Sequence, residues 1–374
     1  MFAYIAITMA AFSIAYAGNY FGEKSKVGGC LLLVLSVAIF CFFAGARDIS
    51  VGSDTHGYAL GSFHTALSTS FSSFYFDSWY KGWAPLYKCL CWFISNLGHS
   101  FFWYMFCVQL LTVVPVYITS YKTLDKRYAP LALLVYGLVF YPLSFNMMRQ
   151  MVSMSILLFA YISANDRRPV SFCLFVLLAA AFHGSALIGA AIYPLVVLST
   201  SKTSYLSSGI RVLVISLFSL AVIVFAPQIL SFTDSIGFYS AYTSGSAITV
   251  GGGLRTVVLT VGATALIVPL GWLFIRRSSK TPRLALAGLL TTVIFGVVCL
   301  PLSLISFYLF RIGFYFLYFA VLAIPTCFSL IEDTATRLFF EMIVIALLLV
   351  WDYDYYIVLG LHDVTNYFMY FGAV

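Results

Sequence analysis

Charge is scarce in this chain. Of its 374 residues only 9% are Asp, Glu, Lys or Arg, and the acidic residues number just 13. Against that, 62% are hydrophobic. A soluble domain cannot hide so much apolar surface, because cores stop growing at domain size. Every gap between apolar runs is under about 40 residues, which leaves no room for a soluble domain of ordinary size. The alternating ten-residue segments of a transmembrane barrel are missing. Zinc-type cysteine spacing is missing too. The eight cysteines lie in or beside apolar runs, and Cys89 and Cys91 form only C-x-C, so they read as small core- or lipid-facing residues. No internal repeat or low-complexity tract is evident.

What is present is a succession of runs near the ~20 residues needed to cross a bilayer. Spans are expected near 2–20, 27–45, 100–120, 129–145, 149–164, 170–182, 185–199, 211–230, 256–275, 284–305, 311–331 and 338–352. The expected fold is all-α, a polytopic integral membrane protein with about 12 transmembrane helices in a single transmembrane domain over 1–374. The opening "MFAYIAITMAAFSIAYAGNY" imitates a signal peptide, with Ala15-Tyr16-Ala17 as a mock cleavage site. Its basic residues come only afterwards, at Lys24 and Lys26, so it reads as a retained first span.

The few basic residues orient the chain. With the N-terminus outside, fourteen of the 20 Lys and Arg fall in inner loops, among them Lys122, Lys126, Arg127, Arg167, Arg168, Arg276 and Arg277. Outside remain Arg47, Lys81, Lys88, Arg149, Arg255 and Arg311. That bias follows the positive-inside rule and makes the outer face extracytoplasmic. Two stretches need separate treatment. Residues 83–98 carry Lys88 and are short, and a crossing there would move the basic loop "KTLDKR" outside; they read as an outer amphipathic or re-entrant helix. Residues 170–199 lie between two basic loops, so the chain must turn at the outer face, at "FHGS", 182–185. Interrupted helices of this kind often mark binding sites. The longest outer segments are 46–82 and 231–255.

Four of the outer arginines, Arg47, Arg149, Arg255 and Arg311, break the charge trend without an obvious topological reason. Singly, each can be a snorkelling residue or a helix-fixing ion pair; four on one face point to an anion site. Arg149 sits in "YPLSFNMMRQMVSMS", where Asn146, Arg149, Gln150 and Ser153 have i, i+3, i+4, i+7 spacing and are expected on one helix face. With Pro142 and Ser144 as start signals, the helix N-terminus would offer free N–H groups beside Arg149, suited to phosphate or pyrophosphate. The other reading is a polar seam between helices. His183, in the "FHGS" turn, is either a general base or hydrogen-bond donor, or a histidine that merely fixes the break. Asp352 and Asp354 in "WDYDYY" have D-x-D form, yet an interfacial exit from the last span explains them better than a metal. The outer aromatics, Trp79, Tyr80 and Trp83 among them, suit sugar rings and membrane interfaces equally.

In order along the chain, "FFAGARDISVGSDTHGY", "FNMMRQMVS", "FHGSAL" and "FRIGFYF" resemble the EpsG-like group of Wzy-type bacterial polysaccharide polymerases, from about residue 40 to 320. The family pattern is approximately R-x-x-x-V-G-T-D-x-x-x-Y, then F-N-x-x-R-Q, then F-H-x-S, then a late arginine near aromatics. Arg47, Gly52, Asp54 and Tyr58 match the first motif, with Ser53 in place of threonine. Asn146, Arg149 and Gln150 match the second, and His183 and Ser185 the third. Where the family often has an acidic residue before Gly-Tyr, this chain reads Lys81, Gly82, Trp83.

The resemblance implies a GT-C-like fold and glycosyl transfer at the outer face of the bacterial inner membrane. The donor would be a glycan on polyprenyl pyrophosphate and the acceptor a hydroxyl of a second lipid-linked repeat unit. Arg149 and Arg311 would grip the pyrophosphate, with Arg255, Gln150, Asn146 and Tyr58 as further binding residues. Arg47 and Asp54 would form a paired anchor, and His183 or Asp54 would take the acceptor proton. No metal or other cofactor is implied. Expected partners are the lipid-linked oligosaccharide, membrane lipids and a chain-length regulator protein, and nucleic acid is not among them. Two other functions are weighed. A flippase should show mid-membrane polar residues and a two-fold hydropathy repeat, and neither is evident. An O-antigen ligase or another extracytoplasmic transferase uses the same donor and is not separable by sequence.

Overall fold

The computed structural model describes residues 2–200, 282–300 and 310–369. They are predominantly helical, with no strand among them beyond an isolated antiparallel bridge between Arg47 and Met369. Helices lie at ten of the twelve expected spans; those near 211–230 and 256–275 fall outside the described residues. Among the described residues, five helices are long and apolar enough to cross a membrane: Phe2–Gly22, Lys26–Gly45, Phe101–Thr123, Phe310–Ser329 and Thr334–Val358. The chain forms two compact units, one of residues 1–160, 173–187 and 345–374, the other of 161–172 and 188–344.

The first unit opens with a hairpin of α1 (Phe2–Gly22) and α2 (Lys26–Gly45). Ser25 starts α2, its Oγ accepting the Gly28 N–H at 3.2 Å. The two helices approach closely because small residues line the crossing: a Cβ on Gly29 would stand 2.5 Å from the Gly22 Cα. Ser36 of α2 donates to the Ala11 carbonyl of α1 at 2.5 Å, a polar tie between apolar surfaces. A π-helical turn, Thr55–Ala59, leads into α3 (Leu60–Ser68), followed by α4 (Phe71–Phe76) and α5 (Pro85–Gly98).

α5 is the short amphipathic helix expected at 83–98. Pro85 sits in its first turn, and its buried residues, Tyr87, Lys88, Cys91 and Ser95, follow helical spacing on one face. Lys88 is buried, its Nζ donating to the Tyr75 carbonyl at 2.9 Å, and burial lowers its pKa while Asp77 opposes this. Its charge is thus held by α4.

α6 (Phe101–Thr123) and α7 (Ala129–Val135, continued by a π-helical turn to Phe140) complete the apolar frame. Gln109 of α6 donates to Tyr136 at 2.6 Å, and Ser144 donates to Gln109 at 3.0 Å. α8 is Met148–Asn165 and α9 is Pro169–Phe182.

α9 breaks at the predicted place. It stops at Phe182, a 3₁₀ stretch runs Gly184–Ala191, and α10 follows at Ile192–Thr200. Within the second unit Arg167 donates to Thr200 Oγ1 at 2.7 Å, and the rings of Phe172 and Tyr193 lie 5.1 Å apart. Residues 21 positions apart in a continuous helix would be about 30 Å apart, so the chain has doubled back between them. The second unit also holds α11 (Pro282–Cys299), α12 (Phe310–Leu317) and α13 (Ala320–Ser329). The last helix, α14 (Thr334–Asp352), ends in a π-helical turn, Tyr353–Val358, within the first unit.

Candidate functional site

The first unit gathers its polar groups at one end of its helices, where α2 stops, α6 and α8 start and the C-terminal tail returns. Arg47 is buried at 5% exposure. Its Nη1 donates to the Ala44 carbonyl at 2.7 Å, and its Nε and Nη2 donate to Thr55 Oγ1 at 3.2 and 3.1 Å. Nη2 also meets the sulfurs of Met105 and Met148, at 3.3 and 3.8 Å. The Phe145 ring lies 4.1 Å from its guanidinium carbon. Burial pulls its pKa down and neighbouring tyrosines oppose this, but an arginine keeps its charge in proteins. The expected pairing with Asp54 is not made. Arg47 instead staples the end of α2 to the following loop, α6 and α8, with neutral acceptors and a π face standing in for a carboxylate.

Asp54 is half-buried and turned the other way. Its Oδ2 accepts the Tyr58 hydroxyl at 2.7 Å and the Met148 N–H, in the first turn of α8, at 3.1 Å. A carboxylate at a helix N-terminus is well placed against the dipole. So the N–H expected to greet a substrate anion is held by the chain's own Asp54. Burial, then the charge of Asp54, pushes the Tyr58 phenol well above its usual range, so it remains a donor.

Arg149, half-buried in the first turn of α8, faces aromatic rings. Its guanidinium carbon lies 4.8 Å from the Tyr58 ring centre, 4.7 Å from Trp83 and 6.0 Å from Tyr87. The rings brace one another, with Tyr58 and Trp83 at 5.1 Å and Trp83 and Tyr87 at 5.6 Å. The "KGWAPLY" departure therefore places an aromatic wall beside Arg149.

The shared helix face expected for Asn146, Arg149, Gln150 and Ser153 is corrected by where the helix begins. Pro142 and Ser144 belong to a 3₁₀ turn, Leu143–Phe145 with its flanks, and α8 starts only at Met148. Asn146 thus stands ahead of α8, buried, accepting from Ser53 Oγ through Oδ1 and bonding His362 through Nδ2. Gln150 is buried, its Nε2 against the Met154 sulfur at 3.6 Å. Ser153 donates to the Ala179 carbonyl of α9 at 2.8 Å, so for this residue the interhelical seam is the correct reading.

That seam also aligns His183. α8 and α9 meet at Ser153 and Ala179; Arg149 lies one turn from Ser153, and the His183 N–H donates to the Ala179 carbonyl at 3.0 Å. Arg149 and His183 therefore occupy the same level of antiparallel neighbours. Arg311 is half-buried in the first turn of α12, in the second unit. Arg255 lies outside the described residues. No cluster of three or more metal-ligating side chains occurs among the described residues.

Sequence reasoning missed the C-terminal partners. His362 reads as one loop histidine among several, and Tyr355 as an interfacial aromatic of "WDYDYY"; only the meeting of His362 with Asn146, 216 residues away, and with Tyr355 on its other nitrogen gives them weight. Trp83 and Tyr87 carried a fainter signal, aromatics at i, i+4.

Fold and site together define an all-α, polytopic membrane protein with a cationic and aromatic polar cluster at one end of its first unit. No curated protein and no solved structure is significantly similar to the chain. The EpsG family model matches residues 30–370, nearly the whole sequence, and the chain belongs to the EpsG family. It is thus a membrane protein of the polysaccharide polymerase type.

Proposed function

We propose that the protein polymerises lipid-linked polysaccharide repeat units at the outer face of the bacterial inner membrane. In this reading an acceptor hydroxyl oxygen attacks the anomeric carbon of a glycan on polyprenyl pyrophosphate. A new glycosidic C–O bond forms, the bond to pyrophosphate breaks, and the pyrophosphate lipid leaves with the electron pair. Family membership supports the general class. The observation that carries the specific reading is Arg149, a half-buried cation walled by Tyr58, Trp83 and Tyr87 at the start of α8.

Negative charge grows on the leaving pyrophosphate, and a guanidinium already placed beside it stabilises the transition state. The aromatic wall orients that cation and offers a sugar ring a stacking face. His183, level with Arg149, is the proton acceptor in this proposal, since Asp54 is committed to Tyr58 and α8. Arg311 and Arg255 are proposed second pyrophosphate contacts, and Gln150 and Asn146 support the helix start. Arg47 serves by holding the loop. A chain-length regulator protein is a further proposed partner.

Deleting the gene and resolving surface polysaccharide on a gel tests the reading. Loss of a polymerase leaves core carrying a single repeat unit. Loss of a ligase or flippase leaves none attached, and an unchanged ladder refutes all three.

A further inference from the structure

The C-terminal tail belongs to none of the sequence motifs, yet it straps the loop that carries Arg47 and Asp54. The Gly52 N–H donates to the Asp363 carbonyl at 2.9 Å and the Asp48 N–H to the Phe368 carbonyl at 2.8 Å. Arg47 bridges Met369, and the Tyr367 hydroxyl donates to the Phe43 carbonyl at 2.6 Å. The tail reaches this position through a turn in which Gly360, His362 and Asp363 have φ of +59°, +76° and +56°. Residues with side chains hold such conformations only where their surroundings impose them, and they cluster at functional sites.

The His362 side chain is what holds the turn. Its Nδ1 meets Asn146 Nδ2, and its Nε2 meets the Tyr355 hydroxyl at 2.8 Å. An amide nitrogen can only donate, so Nδ1 is the acceptor and the ring proton sits on Nε2, donating to Tyr355. This pairing requires the neutral ring. The orientation of the Asn146 amide is fixed in turn by Ser53, which donates to Oδ1. One amide–imidazole pair therefore ties together the loop after α2, the turn before α8 and the tail after α14. The family match runs to residue 370, so this tail lies inside the matched region.

We propose that His362 is a positioning residue: its neutral ring latches the tail to Asn146 and so sets the start of α8, the turn that carries Arg149. The catalytic consequence rests on the glycosyl-transfer reading above; the latch itself does not. Protonation converts Nδ1 into a donor facing the donating amide of Asn146, so acid opens the latch. The titratable groups on the elements around it are Tyr353, Asp354, Tyr355 and Tyr356 of the π-helical turn, Arg47, Asp48, Asp54, His56 and Tyr58 of the loop and the turn that follows it, and Asp363 and Tyr367 of the tail. Arg149 is the cation of the α8 first turn.

Hydrogen exchange on the purified full-length protein in lipid nanodiscs reads the latch directly, because the Asp48 and Gly52 amides donate to the tail. Corrected for intrinsic exchange, their protection in wild type should fall about tenfold between about pH 7.5 and about pH 5.5. His362→Gln offers an oxygen to Asn146 and an N–H to Tyr355 and does not titrate. It should keep both the protection and full-length polysaccharide at either pH, whereas His362→Ala should lose both at either pH. Equal protection in wild type and His362→Ala at about pH 7.5, where the imidazole is neutral, overturns the latch, and so does His362→Gln behaving like His362→Ala. Should His362→Ala not fold, an identical pH response of wild type and His362→Gln overturns it instead. Protection that follows these expectations, beside a polysaccharide ladder indifferent to deletion of the gene, upholds the latch and refutes the transfer reading.

Discussion

Replacing Gly52 with alanine tests the packing that joins the loop after α2 to the start of α8. Gly52 has φ of +89°, and a Cβ there would stand 2.4 Å from the Phe145 carbonyl oxygen and 2.7 Å from the Phe145 Cβ. The left-handed backbone costs a residue with a side chain about 1–2 kcal/mol. The clash adds about 1–3 kcal/mol, as overpacking does in cores, because a carbonyl oxygen and a Cβ are fixed by the main chain and cannot rotate away. The sum is on the order of 2–5 kcal/mol. The damage spreads, since the Phe145 ring faces the Arg47 guanidinium and the Gly52 N–H holds the tail. Gly57→Ala is the control: nothing lies within 4 Å of the Cβ it would add, and its effect should stay within about 0.5 kcal/mol. Denaturant unfolding of the detergent-purified proteins, followed by tryptophan fluorescence, measures both. Gly52→Ala unfolding together with Gly57→Ala would refute the argument.

Trp83→Ala removes one wall beside Arg149 and should cost about 0.5–2 kcal/mol of that interaction, read as a several-fold loss of polymer length at normal protein abundance; Trp83→Phe should recover most of it. Arg47→Ala takes the donor from the Ala44 carbonyl and empties a buried space. It should cost about 2–4 kcal/mol and show as lost membrane abundance in an immunoblot. Normal abundance of Arg47→Ala without polymer would instead place Arg47 at the substrate.

The helices were legible because nothing but apolar length decides a membrane span, and the scarce charges could be counted loop by loop. The turn at His183 followed from two basic loops, Arg167–Arg168 and Lys202, that must share a side. The site was legible only in part. Arg149 and Asp54 announce themselves as charges at a helix end, but Asp54 bonds to Tyr58 and Met148 rather than to Arg47 because the π-helical turn points it at α8. The start of α8 was misplaced because Pro142 opens a 3₁₀ turn as readily as an α-helix, which put Asn146 on the wrong face. The tail was silent. Its bonds to Gly52, Asp48 and Asn146 join positions hundreds of residues apart, and those to Gly52 and Asp48 are main-chain bonds, which leave no trace in residue identity.

The central claim is that Arg149 assists the departure of a pyrophosphate lipid from a growing glycan. The direct measurement is reconstitution of purified protein in liposomes with a synthetic polyprenyl-pyrophosphate-linked repeat unit, following chain length and released lipid pyrophosphate together. Wild type should extend the glycan and release lipid pyrophosphate in step. Arg149→Ala should fold and bind but slow both by about 10²–10³-fold, and Arg149→Lys should also fall short, lacking the planar fork. Extension by Arg149→Ala at the wild-type rate, or no extension by wild type, would contradict the account.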